Sequence, residues 1–231
     1  MGPRTVGASA ASGVARARTT TRAAGDFNVD GDPDVLTRRR REVVDLPWVW
    51  LRQVHSADVV VVTGQTGAAV AGQRADALVT AEAGLVLAVH TADCAPVVLR
   101  AERDRVIGVA HAGWRGLVAG VIEEAVGAME ALGAKAVTAS VGPCIHRECY
   151  EFGIDDLAAV AARCGDSVRA TTRDGRGALD LVEGVRVAVE RAGATFCGAD
   201  PSCTACEPAR YFSHRARREP ERMATVVWLE P

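Results

Sequence analysis

At 231 residues, 48% hydrophobic and 24% charged with a net charge of −2, the chain suits one domain with a full hydrophobic core. It carries no charge excess that would draw nucleic acid or an anionic membrane. No apolar run approaches the roughly 18 to 20 residues of a membrane span, and the seven cysteines, an odd number without a leading secretory segment, point to free thiols in a reducing cytoplasm.

Residues 1–18 contain Ala, Gly, Ser, Thr and Arg but no acid and read as a loose N-terminal segment, leaving 19–231 as the catalytic domain. The run TTTRAAGDFNVDGDPDV is turn-rich, and Pro33 opens a short helix whose block Arg38–Arg41 reads for the most part as a solvated face. Strands are expected at Trp48–Gln53, Asp58–Val62 and Ala77–Thr80. The first runs into Gln53-Val54-His55, and Ala75-Asp76 introduces the last.

Three apolar runs then follow closely: Leu85–Thr91, Ala95–Ala101 and Val106–Ala110. The charged turn Glu102-Arg103-Asp104-Arg105 between the second and third predicts an antiparallel return that brings His111 back towards Cys94. A thiol and an imidazole at adjacent strand ends can serve as nucleophile and base, or as two ligands of a soft metal such as zinc. Asp93 and Pro96 flank the cysteine, and Ala112-Gly113-Trp114-Arg115-Gly116 follows the histidine, placing glycines and Arg115 at an anion-attracting helix start. His55, also at a strand end, is a third candidate ligand.

Leu117, Val121, Ile122, Ala125, Met129 and Leu132 recur at helical spacing up to a stop at Gly133. A strand is expected at Ala136–Val141 and helices at Ile154–Ala162 and Leu179–Ala192, with Asp180 near the start of the second. Phe212-Ser213-His214-Arg215 precedes a final strand at Ala224–Leu229. Cys203 and Cys206 form a C-x-x-C without the second pair of a zinc ribbon or the strand and helix of a thioredoxin motif. Cys144, Cys149, Cys164 and Cys197 read as structural thiols without disulfides. Grouped strands without regular βαβ alternation indicate an α+β fold with mixed sheets, and no glycine-rich nucleotide fingerprint is present.

Ordered motifs give a more specific reading: RQVHSADV at 52–59, ADALVT at 75–80, TADCAPVVL at 91–99, GVAHAGWRG at 108–116, GPCI at 142–145, CYEFG at 149–153 and the closing YFSHRA and RMA. With these the chain, from about Thr19 to Leu229, resembles the YfiH family, also described as laccase-like multicopper polyphenol oxidases or peptidoglycan editing factors. The resemblance implies a four-layer α/β/β/α sandwich with mixed β-sheets in a single domain. It also implies a zinc site made by His55, Cys94 and His111, which are then the catalytic residues as well as the metal ligands. The activity implied is phosphorolysis of adenosine, inosine and methylthioadenosine, with deamination of adenosine.

The sequence departs from the family pattern in TTTRAAGDFNVDGDPD, where a loop is shortened and a usual histidine is missing. It departs again at Thr37-Arg38-Arg39 and at His214, which replaces an aromatic. Arg22, Arg39, Arg115 and Arg215 are candidate phosphate or substrate contacts, joined by Gln53 and Asp93. The alternative is a metal-free amide hydrolase acting on a peptidoglycan precursor, with Cys94 as nucleophile and His111 as base. A copper-dependent polyphenol oxidase comes third, because none of the three methionines falls within a candidate copper-site motif. A non-catalytic metal-gated sensor would use the same pocket. The expected partners are a small nucleoside and phosphate, with neither nucleic acid nor membrane, and a monomer is expected.

Overall fold

The computed structural model describes residues 14–64 and 67–230. In chain order, β1 (Ala15–Thr19) is followed by helix α1 (Pro33–Val43), β2 (Trp48–Trp50), β3 (Val59–Val61), the one-turn α2 (Gly67–Val70) and β4 (Ala77–Thr80). The central strands β5 (Val86–Thr91), β6 (Ala95–Ala101) and β7 (Val106–Ala112) lead into α3 (Trp114–Ala119), α4 (Val121–Ala131) and β8 (Thr138–Val141). Then come α5 (Ile154–Cys164), the small hairpin β9 (Arg169–Thr171) and β10 (Gly177–Leu179), α6 (Leu181–Arg191), β11 (Thr195–Ala199), α7 (His214–Arg217) and β12 (Met223–Leu229).

Two mixed sheets stack face to face, one ordered β1-β12-β5-β2 and the other β11-β8-β6-β7-β4-β3. Strand alternation explains the layers. In β7, Val106, Ala110 and Ala112 join a core under α3 to α6, whereas Ile107 and Val109 point into the space between the sheets. In β5, Leu87 and Val89 meet them from the other side, while Val86 and Ala88 face outward onto Phe27, Trp48 and the end of α1. The result is an α/β/β/α sandwich, in which each fully buried Leu or Ile contributes about 1.5 to 3 kcal/mol. At Gly108 a Cβ would meet Met129 Sδ of α4 at 3.3 Å, so glycine allows α4 to lie close on the sheet.

Several expectations need correction. Residues 15–18, assigned to a loose segment, form most of β1, which pairs antiparallel with β12 from Ala15 opposite Leu229 to Thr19 opposite Thr225. Residues 1–13 lie outside the described residues. The helix expected through Leu117 and Val121 is two helices, broken at Gly120, whose φ of 96° belongs to the left-handed region. Leu179 ends β10 rather than starting α6, because Asp180 caps that helix by accepting the Glu183 N–H at 3.0 Å.

Candidate active site

The site lies at one end of the space between the sheets, and Asp76 organises it. This fully buried carboxylate stands just before β4 and accepts backbone N–H groups from Val54 (3.1 Å), His55 (2.9 Å) and Ser56 (2.7 Å), and the Ser56 hydroxyl at 3.1 Å. Those bonds wrap residues 54–56 around one acid and hold His55 at a φ of 60°. The same carboxylate meets His111 Nδ1 at 2.8 Å. A carboxylate only accepts, so Nδ1 carries the proton and Nε2 is left for the site.

Cys94 enters from the turn between β5 and β6. Asp93, at a φ of 96°, makes that turn, a conformation that strains a non-glycine residue by about 1 to 3 kcal/mol. Its surroundings offset the strain. The Thr204 hydroxyl donates to Asp93 Oδ1 at 2.7 Å, the Arg215 N–H to Oδ2 at 2.6 Å, and the Ile145 N–H to the Asp93 carbonyl at 2.9 Å. The antiparallel pairing of β6 and β7 sets Pro96 opposite His111 and so returns the imidazole to the cysteine.

Cys94 Sγ lies 3.7 Å from His55 Nε2, and the two imidazoles meet edge to face with centroids 4.7 Å apart. One ligand atom from each of His55, Cys94 and His111 lies within 4.8 Å of the others, which fits a shared metal ion. Gly113 makes room for them, since a Cβ there would sit 2.5 Å from His55 Cδ2 and 3.1 Å from Cys94 Sγ.

Burial alone would raise the Cys94 thiol, but the His111 charge and hydrogen bonds from His111 and His55 outweigh it and bring it down to about 6. Burial would likewise lower His111, yet the Cys94 charge and the Asp76 hydrogen bond lift it to about 9. Asp76 is held down at about 2, its burial overcome by His111 and the backbone donors. Without a metal, Cys94 and His111 form a thiolate and imidazolium pair.

A cleft of about 370 Å³ opens above these residues, lined also by Gln53, His90, Arg52, Arg222, His214 and Asn28. Gln53 clamps the backbone of His90, donating to its carbonyl at 2.8 Å and accepting its N–H at 2.7 Å. Neither ring nitrogen of the buried His90 has a partner within the described residues. Burial and the charges of Arg40, His111 and Arg222 drive it down to about 3, so it stays neutral.

The three expected ligands converge, whereas the four arginines expected to contact substrate or phosphate lie outside the cleft lining. Arg22 pairs with Glu219 at 2.5 Å and stacks on Phe212, and Arg39 donates to the Asp26 carbonyl at 2.6 Å. Arg115 lies over the Trp114 ring, while Arg215 lies over Tyr150 and bonds the Glu151 carbonyl. Asp93 supports the turn, and Gln53 holds His90. Sequence reasoning missed Asp76, His90, Arg52 and Arg222 as site residues. The ADALVT motif was a signal for Asp76; His90 sits inside an apolar strand, with nothing local to mark it.

The family described as multi-copper polyphenol oxidoreductase laccase matches residues 8–230. A purine nucleoside phosphorylase of Streptomyces griseus is 44% identical over 184 residues, 79% of this chain and 74% of its own length. The Escherichia coli purine nucleoside phosphorylase YfiH is 36% identical over 204 residues, covering 86% and 82%. Among solved structures, YlmD from Geobacillus stearothermophilus superposes with a TM-score of 0.80 at 28% identity over 96% of this chain and 93% of that one. Among the described residues, no helix is long and apolar enough to cross a membrane.

Proposed function

Because the chain belongs to the multi-copper polyphenol oxidoreductase laccase family, with relatives named purine nucleoside phosphorylases, we propose that it is a zinc-dependent purine nucleoside enzyme. Its reactions are phosphorolysis of adenosine, inosine or methylthioadenosine and deamination of adenosine. One observation carries the reading: two imidazoles and a thiolate converge at the floor of a nucleoside-sized cleft, and three ligands leave a fourth tetrahedral position for water or substrate. Zinc bound there would act as a Lewis acid that activates water or polarises the substrate.

The chain's own residues supply the rest. Asp76 fixes the His111 tautomer so that Nε2 faces the site, and Gly113 leaves the space that the His55 ring occupies. Neutral His90 lines the cleft with an unpartnered N–H donor and lone pair buried in its wall, which a purine edge would meet once the ring turns outward. Arg52, paired with Asp30 at 2.9 Å, and Arg222, whose Nη1 donates to the Glu219, Pro220 and Glu221 carbonyls, line the cleft and would take the phosphate, whose oxygen bonds the sugar carbon as the bond to the purine nitrogen breaks. Free cysteines fit a reducing cytoplasm, where nucleoside and phosphate meet.

A second reading has its own support. The lowered thiol of Cys94 beside protonated His111 is the pair a metal-free amide hydrolase of a peptidoglycan precursor would use. Copper oxidase chemistry has less, because no methionine is among the residues lining the cleft. Metal analysis and turnover of adenosine and inosine with and without phosphate separate the readings. A chelator should abolish turnover and zinc restore it. Full nucleoside turnover by rigorously metal-free protein would overturn the zinc reading and favour the cysteine nucleophile.

A further inference from the structure

A second cluster of soft ligands lies away from the cleft, where two segments distant in sequence meet. The short turn Arg147–Cys149 brings Glu148 and Cys149, and a tight turn at 203–206 brings the C-x-x-C pair, closed by Cys206 and Glu207 N–H bonds to the Cys203 carbonyl, each 3.1 Å. One ligand atom from each of Glu148, Cys149, Cys203 and Cys206 lies within 4.8 Å of the rest, and Cys149 Sγ is 3.2 Å from Cys206 Sγ. All three thiols are free. We propose that Cys149, Cys203 and Cys206, with Glu148 as the fourth ligand, form a structural zinc site that braces the loop carrying Cys94.

Two features favour a metal over a disulfide. The His146 N–H approaches Cys203 Sγ at 3.4 Å, so a backbone donor is aimed at that sulfur from the loop that also carries Glu148 and Cys149. A Cys149–Cys206 disulfide would leave the Cys203 sulfur and the Glu148 carboxylate of the cluster without a role. Three thiolates and one carboxylate close a tetrahedral shell around a d¹⁰ cation. Zinc to sulfur bonds of about 2.3 Å set sulfurs about 3.8 Å apart, a small opening of the observed cluster. Borderline-soft zinc suits this mixed sulfur and oxygen set.

The consequence for the first site follows from Thr204, which stands between the two C-x-x-C cysteines. Its hydroxyl holds Asp93 Oδ1 at 2.7 Å and its N–H holds the Cys144 carbonyl at 3.0 Å. A zinc ion fixing Cys203 and Cys206 therefore fixes Thr204, and through it the strained Asp93 turn that aims Cys94.

The test is metal content and cobalt binding by the full chain. Cys206→Ser should carry one zinc equivalent fewer than the wild type, whatever the first site holds. Metal-free His55→Ala/His111→Ala protein should still bind one cobalt(II) with a sulfur-to-cobalt charge-transfer band, and adding Cys206→Ser should remove that band. Cys164→Ser, a thiol outside both clusters, should leave the zinc content unchanged. If the histidine variant fails to fold, the zinc difference between wild type and Cys206→Ser decides. Equal zinc in those two proteins overturns the proposal. So does a Cys149–Cys206 linked peptide recovered from protein purified under reductant in place of the second metal. A wild type that carries a single zinc equivalent, lost in Cys206→Ser, would count against the zinc reading of the first site and leave this site standing.

Discussion

Replacing Asp76 with Asn is the sharpest test of how the first site is built, because it keeps the shape and changes only what the two oxygens can do. Oδ1 accepts His55 N–H at 2.9 Å and His111 Nδ1–H at 2.8 Å, and Oδ2 accepts Val54 N–H, Ser56 N–H and the Ser56 hydroxyl. An amide nitrogen cannot accept. Placed at the Oδ2 position it confronts three donors, of which the hydroxyl alone can turn; at the Oδ1 position it confronts two, of which His111 can shift its proton to Nε2. The second arrangement is the less costly, and it leaves the ligating nitrogen of His111 protonated. Leaving the His55 N–H unpaired costs about 1 to 3 kcal/mol of stability, and loss of an orienting partner weakens metal binding by about 10 to 100-fold. Zinc affinity by competition with a chromophoric chelator, and thermal unfolding of the metal-free protein, read the two effects separately. Wild-type zinc affinity in Asp76→Asn would refute the tautomer argument, even if stability fell.

Gly113→Ala puts a methyl 2.5 Å from His55 Cδ2, so the ring must move by about 1 Å to reach ordinary contact, beyond the roughly 0.2 Å tolerance of a metal bond; zinc content should fall while the fold, followed by circular dichroism, persists. His90→Phe removes two unpartnered buried nitrogens, so thermal stability should hold or rise while KM for nucleoside increases about 10-fold; an unchanged KM would remove His90 from substrate recognition. In metal-free protein, iodoacetamide should alkylate Cys94 with a rate that climbs through pH 6 and levels off above it. The folded thiol is deprotonated from about 6 upward, where an ordinary thiol would still be rising near 9. A rate still climbing at pH 8 would show that His111 does not hold the thiolate.

The elements that declared themselves in the sequence are those whose burial is complete and local. Every residue of β5 and β7 is buried, so their apolar runs carried the signal unaided. β1 and β11 failed that test for a common reason: each is an edge strand with polar or exposed alternate positions, exposed and half-buried residues alternating after a buried Ala15 along Ala15–Thr19 and throughout Thr195–Ala199. What defines β1 is its pairing with β12 at the far end of the chain, and composition cannot register a partner that distant. The break at Gly120 was hidden because apolar spacing continues across it while the backbone does not.

The same division runs through the site. His55, Cys94 and His111 each follow or end a strand, so their approach could be argued from turns and register, and the structure brings them together. The arginines could not be placed that way. A guanidinium on a long flexible stem is positioned by whatever carboxylate, carbonyl or ring it meets in three dimensions, and Arg22 and Arg215 met Glu219 and Tyr150 rather than the cleft. Asp76 shows the converse. Its importance comes from five converging donors, three of them backbone N–H groups, and a backbone N–H has no letter of its own in the sequence. Charges that hold a catalytic loop through main-chain donors will be missed by any reading that pairs side chains, and the buried acid next to a strand is where to look for them.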